Sequence, residues 1–201
     1  MAERPFHHGN LRAVLLDEAT VVLRESGVDG LSLRDLARRA GVSHGAPRSH
    51  FVDRQALLDA LAEVGFRRLT ADVRAALDGP GDVRARFLRV AGVYVDFAID
   101  DAALMDLMFQ AKAQTGGWPP EVSAAAVELF TVLDAAMGPR SADTDADARD
   151  AFKMLFAATV QGIASLVSSH RVSRADGDRL VTEAMVMMLD SALAARTVSA
   201  G

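Results

Sequence analysis

Apolar residues recur at helical spacing along almost the whole chain, and no stretch alternates with the two-residue period of a strand. Leu11, Val14, Leu15, Ala19, Val22 and Leu23 form one stripe behind Asn10 as cap, and Gly27 closes that helix. Leu33, Leu36, Ala37 and Ala40 fall at i, i+3, i+4 and i+7, so a short second helix buries one face and leaves Arg34, Arg38 and Arg39 outside. A third short helix follows Ser43. From Asp53 a long helix runs through Leu57, Leu61, Val64 and Leu69 toward Leu77 and stops at Gly79-Pro80-Gly81. Further helices are expected over 83–99, 102–113 and 121–137, with a breaker at Thr115-Gly116-Gly117-Trp118-Pro119-Pro120 and a polar loop over 138–147. Helices over 148–169 and 174–195 complete an all-α chain of about nine helices, read as a three-helix domain over 1–55 and a larger helical domain over 56–201.

The spacing between residues 31 and 51 carries more than fold class. Ser32 suits a helix cap, with Asp35 three residues on as a short version of the capping box. Gly41 ends the second helix where a left-handed residue is needed, and Val42 turns the chain back inward. Ser43 is expected to cap the next helix, Ser43 to Phe51, where Pro47 stands near enough to the start to be tolerated. That helix has almost no apolar stripe. Its small residues suit close approach to a groove, and its Ser, His and Arg side chains are donors fitted to phosphate and to base edges. Two short helices joined by a glycine turn are the layout of a helix-turn-helix DNA reader, the alternative being a solvated surface turn.

The same residues carry a family resemblance. Residues 10–60 resemble the N-terminal DNA-binding domain of the TetR family of bacterial transcriptional regulators. The shared residues are the helix ending at Gly27, the Val28-Asp29-Gly30-Leu31-Ser32 connection, Leu36-Ala37 with Ala40-Gly41-Val42-Ser43, and Ser49-His50-Phe51 followed by Asp53-Arg54 and Leu57-Leu58. Family members usually carry tyrosine two residues before that histidine and often lysine after the aspartate; here the positions hold Arg48 and Arg54. The resemblance implies DNA-binding roles for Ser32, Arg34, Ser43, His44, Gly45, Arg48, Ser49, His50 and Arg54, with Arg54 as a phosphate-binding cation. It also implies repression of a palindromic operator by a homodimer and release by a small molecule. The stretch Thr159 to Leu166 resembles the C-terminal domain class named for a Trp-His-Gly motif, keeping Gly162 and placing Ala157 and Gln161 at the other two positions.

Composition agrees with such a regulator once charge is divided along the chain. The net charge of −5 splits into +1 over residues 1–55, from eight arginines and seven acids, and −6 over the rest. Affinity for double-stranded DNA would therefore come from local placement of arginine rather than a large field. Four of the five histidines lie in the first part, including His7-His8 in a segment read as an arm or a frayed end. The absence of cysteine excludes disulfides, thiolate metal sites and a cysteine redox sensor. No run of apolar residues approaches the roughly 20 needed to span a bilayer, and the start does not resemble a signal peptide. A soluble, cytoplasmic protein with no membrane partner is expected.

Aromatic and methionine side chains in the larger domain are candidates for lining a pocket for a small hydrophobic or aromatic effector. They are Phe66, Phe87, Tyr94, Phe97, Met105, Met108, Phe109, Gln110, Trp118 and Phe130. Each is also an ordinary core residue by type. Tyr94, Trp118 and Gln110 stand out because each carries a polar group that needs a partner when buried. On the last two helices Phe152, Phe156, Val160 and Ile163, with Leu180, Met185 and Met188, offer broad apolar faces. Two copies would make a four-helix bundle and set two readers about 34 to 36 Å apart; alternatively the stripes close the chain's own core. No glycine-rich phosphate loop, metal-spaced histidine pair or activated nucleophile supports an enzyme, and no cofactor or catalytic residue is expected. A helical protein-interaction module, or a regulator without a small-molecule ligand, is the remaining alternative.

Overall fold

The computed structural model describes residues 11–115, 119–139 and 145–198, and the side chains of these except 110–115. Among the described residues every regular element is helical: α1 (Leu11–Ser26), α2 (Leu33–Arg39), α3 (Arg54–Leu77), α4 (Val83–Asp100), α5 (Ala102–Thr115), α6 (Pro120–Ala136), α7 (Ala146–Ser168), α8 (Arg174–Leu189) and α9 (Ala192–Thr197). Two single 3-10 turns, Val28–Gly30 and Ala46–Ser49, flank α2.

Caps account for most of the helix starts. Asp82, Asp145, Ser173 and Ser191 each accept from the backbone N–H three residues on, at 2.9, 2.9, 3.1 and 3.1 Å. Asp53 does the same for α3, accepting from Ala56 N at 2.8 Å. The expected single helix over 174–195 is broken at Ser191, whose cap begins α9. Its hydroxyl donates back to Met188 O at 2.6 Å, so one side chain both ends α8 and starts α9.

The chain divides into two compact units, one of residues up to Gly65 with Ala103–Val122, the other of Phe66–Ala102 with Ser123 onward. The first unit reaches past the expected boundary at 55 because Leu57, Leu58, Leu61 and Ala62 of α3 are buried, and because α5 packs closely on α3. A Cβ built on Gly65 would stand 2.6 Å from Met108 Sδ, so the two helices approach where glycine leaves room.

In the second unit α4 packs on α7 and α8, and α9 packs on α7 and α8. Phe87 of α4 meets Phe152 and Phe156 of α7 edge-on, with ring centroids 5.6 and 5.4 Å apart. Gly177 lets α8 close on α7, since a Cβ there would lie 2.5 Å from Val167 Cγ2. Helix α7 is long and apolar enough to cross a bilayer by composition, which the run-length reading of the sequence passes over. Its buried Phe152, Phe156, Val160 and Ile163 pack inside this unit, as in the core helix of a globular fold.

Candidate nucleic-acid interface

The reading segment rests on α1 and α2. Leu15, Leu23, Leu31, Leu36, Ala37 and Phe51 are essentially excluded from solvent, and Pro47 is buried with them. Ser32 Oγ accepts from Asp35 N at 3.4 Å, a long bond, and Asp35 gives its carboxylate to Arg38 rather than closing a capping box. At the other end of α2, Gly41 takes φ 67°, Val42 N donates to Ala37 O at 3.0 Å and Gly41 N to Arg38 O at 3.3 Å. These are the two bonds of a Schellman close, so the turn is held by backbone geometry.

The second helix of the motif differs from expectation. It is one 3-10 turn, Ala46–Ser49, in which Arg48 N donates to Gly45 O at 3.1 Å and His50 N to Pro47 O at 3.0 Å. Pro47 has no N–H to give Ser43 O, so an α-helical start cannot form there and Ala46 N bonds Ser43 O instead, at 3.0 Å. Ser43 does not cap with its side chain; the cap position belongs to Gly45.

Buried Pro47 anchors the turn, and Ser43, His44, Gly45, Arg48, Ser49 and His50 are all exposed, as is Arg34 on α2. Their engagements separate them. Ser49 Oγ donates its proton to Ala46 O at 2.7 Å, leaving it acceptor capacity only. Arg54 donates from Nε to Leu31 O at 3.0 Å and from Nη2 to Val28 O at 2.5 Å, tying the start of α3 to the Val28–Gly30 turn. A guanidinium so held presents less of its fork to a phosphate than the sequence implies. Arg39 pairs with Glu25 at 2.9 Å, and Arg12 lies over the Phe51 ring at 5.5 Å.

The effector candidates fall in both units. Phe66, Phe87, Tyr94 and Phe97 are buried in the second unit, where Arg68 lies over the Phe97 ring at 5.4 Å. Phe130 lines a surface groove of about 500 Å³ with Asp134, Lys153 and Met154. Met105 and Met108 are buried in the first unit, and Phe109 there is 37% exposed. Trp118 and the Gln110 side chain lie outside the described residues. Tyr94 OH donates to Gln161 Oε1 at 2.6 Å, and burial pushes its phenol well above the ordinary value. The sequence gives no sign of Thr70, whose Oγ1 is buried without a hydrogen-bond partner.

The interface candidates, all but Leu180, face their own chain. Phe152, Phe156, Val160, Ile163, Met185 and Met188 are buried within the single chain, because α4, α7, α8 and α9 consume those stripes in their own packing; Leu180 alone is exposed. The apolar residues left outward are Met154 and Leu155 on α7, beside exposed Ala158 and Gly162, and Leu180 and Met187 on α8.

The family described as "Bacterial regulatory proteins, tetR family" matches residues 15–61, and the "Tetracyclin repressor-like, C-terminal domain" matches residues 87–189, just over half of the chain. The nicotine-responsive transcriptional repressor HdnoR of Paenarthrobacter nicotinovorans is 31% identical over 107 residues, 53% of each chain. The class A tetracycline repressor of transposon 1721 from Escherichia coli is 57% identical over 42 residues, 21% of this chain and 19% of its own. The alignments thus span about half and a fifth of those relatives. A solved protein of unknown function from Rhodococcus sp. RHA1 is 40% identical, with a TM-score of 0.78 over 92% of this chain and 97% of its own. With a capped helix-turn-helix unit, an all-helical second unit and both family matches in chain order, the protein belongs to the tetR family of bacterial transcriptional regulators.

Proposed function

We propose that the protein is a ligand-responsive repressor that binds a palindromic operator as a homodimer and is released by a small hydrophobic effector. The observation that carries the DNA-binding part is the exposed set Arg34, His44, Arg48 and His50 on a segment locked by the buried Pro47 and the Schellman turn at Gly41. Side chains held on a rigid support lose little freedom on docking.

Support for an effector comes from the second unit. Thr70 Oγ1 is a buried hydroxyl without a partner, and Tyr94 OH, bonded to Gln161, is a second polar group in a unit that also buries Phe66, Phe87 and Phe97. Apolar sites with few polar anchors suit small molecules, and one relative is named for its response to nicotine. Helix α3 belongs by its first half to one unit and by its second half to the other, a covalent route for coupling. The dimer would use the outward residues Leu155, Ala158, Gly162, Leu180 and Met187 in place of those expected from sequence.

Anisotropy titration of the purified protein with the DNA flanking its own gene, at several salt concentrations, tests the reading. Binding whose affinity falls linearly in log–log form with salt is expected. Absence of any complex with duplex at low salt overturns it.

A further inference from the structure

The inference rests on the DNA-binding reading and concerns Gly45 and Arg48. Their backbones are joined by the i→i+3 bond of the 3-10 turn. In that geometry residues three apart eclipse, so the Arg48 side chain leaves the turn on the column where Gly45 carries none. Glycine is not required at 45 by the fold. Its φ of −85° and ψ of −21° suit any residue, and an added Cβ would meet no atom within 4 Å. What the missing methyl leaves bare is the exposed outer surface of the turn.

Most cations of this unit are engaged elsewhere. Arg38 pairs with Asp35, Arg39 with Glu25, Arg54 holds Val28 O and Leu31 O, and Arg12 lies on Phe51. Among the described residues of this unit Arg34 and Arg48 have no such partner, and Arg34 stands in the first turn of α2 rather than on the reading turn. Ser49 has already given its proton to Ala46 O. A single 3-10 turn can send few side chains to the floor of a groove. Arg48 is the one on this turn that pairs a planar fork of donors with a bare neighbour.

We propose that Arg48 reads a guanine edge in the major groove, its guanidinium bidentate on O6 and N7, and that Gly45 is the point of closest approach that lets so short a turn reach the bases. Arginine's fixed fork matches those two acceptors, whereas a phosphate contact needs no bare surface beside it.

The test begins by selecting a preferred duplex from a random palindromic library with the wild-type protein. Binding of wild type, Arg48→Ala, Arg48→Lys and Gly45→Ala is then measured on every single-base variant of that duplex at several salt concentrations, with melting temperature as the check on folding. Arg48→Ala should lose roughly ten- to a hundredfold on the selected duplex, discriminate poorly at one position per half-site and keep its salt slope. Arg48→Lys should keep the slope and lose most of that discrimination. Gly45→Ala should melt as wild type does yet bind the selected duplex more weakly. Uniform weakening over all variants, with the slope reduced by about one, makes Arg48 a phosphate contact and overturns the proposal. Discrimination retained at every position in Arg48→Ala, or unchanged binding in Gly45→Ala, overturns it too. A library from which the wild type retains no duplex removes the DNA-binding reading itself, a different failure.

Discussion

Arg149, 1% exposed, donates from Nε to Asp134 Oδ1 at 2.9 Å, and the same guanidinium caps two helix ends. Nη2 reaches Asp134 O and Gly138 O at 2.6 and 2.7 Å, and Nη1 reaches Thr197 O at 3.0 Å, so the ends of α6 and α9 are held by one buried side chain at the start of α7. Last-turn carbonyls have no partner within their helix, and a buried cation needs several acceptors; each meets the other's requirement.

Arg149→Ala is therefore expected to cost about 3 to 5 kcal/mol, the range for removing one member of a buried pair. Asp134→Asn should cost less, since it keeps an acceptor for Arg149 while Lys153, 3.1 Å from Asp134, keeps its second carboxylate, Asp150 at 2.7 Å. Urea unfolding measures both. A loss below about 1 kcal/mol for Arg149→Ala, the size of an ordinary surface change, would show that this network holds nothing together.

Tyr94 makes a spectroscopic prediction possible because it is the chain's one tyrosine. Its phenol is buried and its ionisation is pushed up, so the unfolded chain gives up this proton at lower pH than the folded one. Stability from this group is complete below about pH 10, the ordinary tyrosine value, and falls as pH rises beyond it. Absorbance of the phenolate should appear only as the protein unfolds, and Tyr94→Phe should flatten the alkaline fall of the melting temperature. Phenolate formed in fully folded protein near pH 10 would contradict the burial.

At Gly65 a Cβ would meet Met108 Sδ and Cγ at 2.6 and 2.9 Å and Leu104 Cγ at 3.1 Å. Gly65→Ala should cost about 1 to 3 kcal/mol by overpacking. In combination with Met108→Ala the loss should be smaller than the sum of the two single losses, because the cavity left by one accepts the methyl of the other. Strict additivity in denaturant unfolding would mean that α3 and α5 do not meet there.

Arg54→Ala should lower the stability of the first unit by about 1 to 3 kcal/mol, since it leaves two carbonyls without their charged donor. The salt slope of DNA binding should barely change. A slope reduced by about one, with stability intact, would restore Arg54 to the phosphate-binding role that the family resemblance implies.

Leu155→Glu and Met187→Glu place charge on side chains 49% and 74% exposed in the single chain, where neither should disturb the fold. Each is expected to give a folded monomer with weakened operator binding, read by light scattering and by anisotropy. A dimer that persists in both variants would move the association surface elsewhere.

Much of the fold was legible because helical periodicity and caps are local. The expected start at Asp53 is kept, and the starts expected near 83 and 174 follow the caps Asp82 and Ser173 that the structure supplies. Gly27 and Gly41 mark ends where φ is positive. The reading segment is a 3-10 turn and not the expected helix, since a wealth of polar residues says nothing about which backbone bonds Pro47 removes. Apolarity alone does not distinguish a stripe facing its own chain from one facing a partner. Phe152 and Leu155 are both apolar residues of α7, yet the first packs on Phe87 and the second faces solvent.

Taken by itself, the sequence determined the all-helical class, most helix starts and the family the chain belongs to, because these depend on neighbours within a few residues; the break at Ser191 and the 3-10 form of the turn at Pro47 were not among them. Only the tertiary structure decided which arginines remain available, which apolar face stays open and where a charge such as Arg149 is buried against its partner. Those outcomes depend on partners as distant in sequence as Asp134 and Thr197 are from Arg149, and spacing along a chain carries no record of what is brought against it.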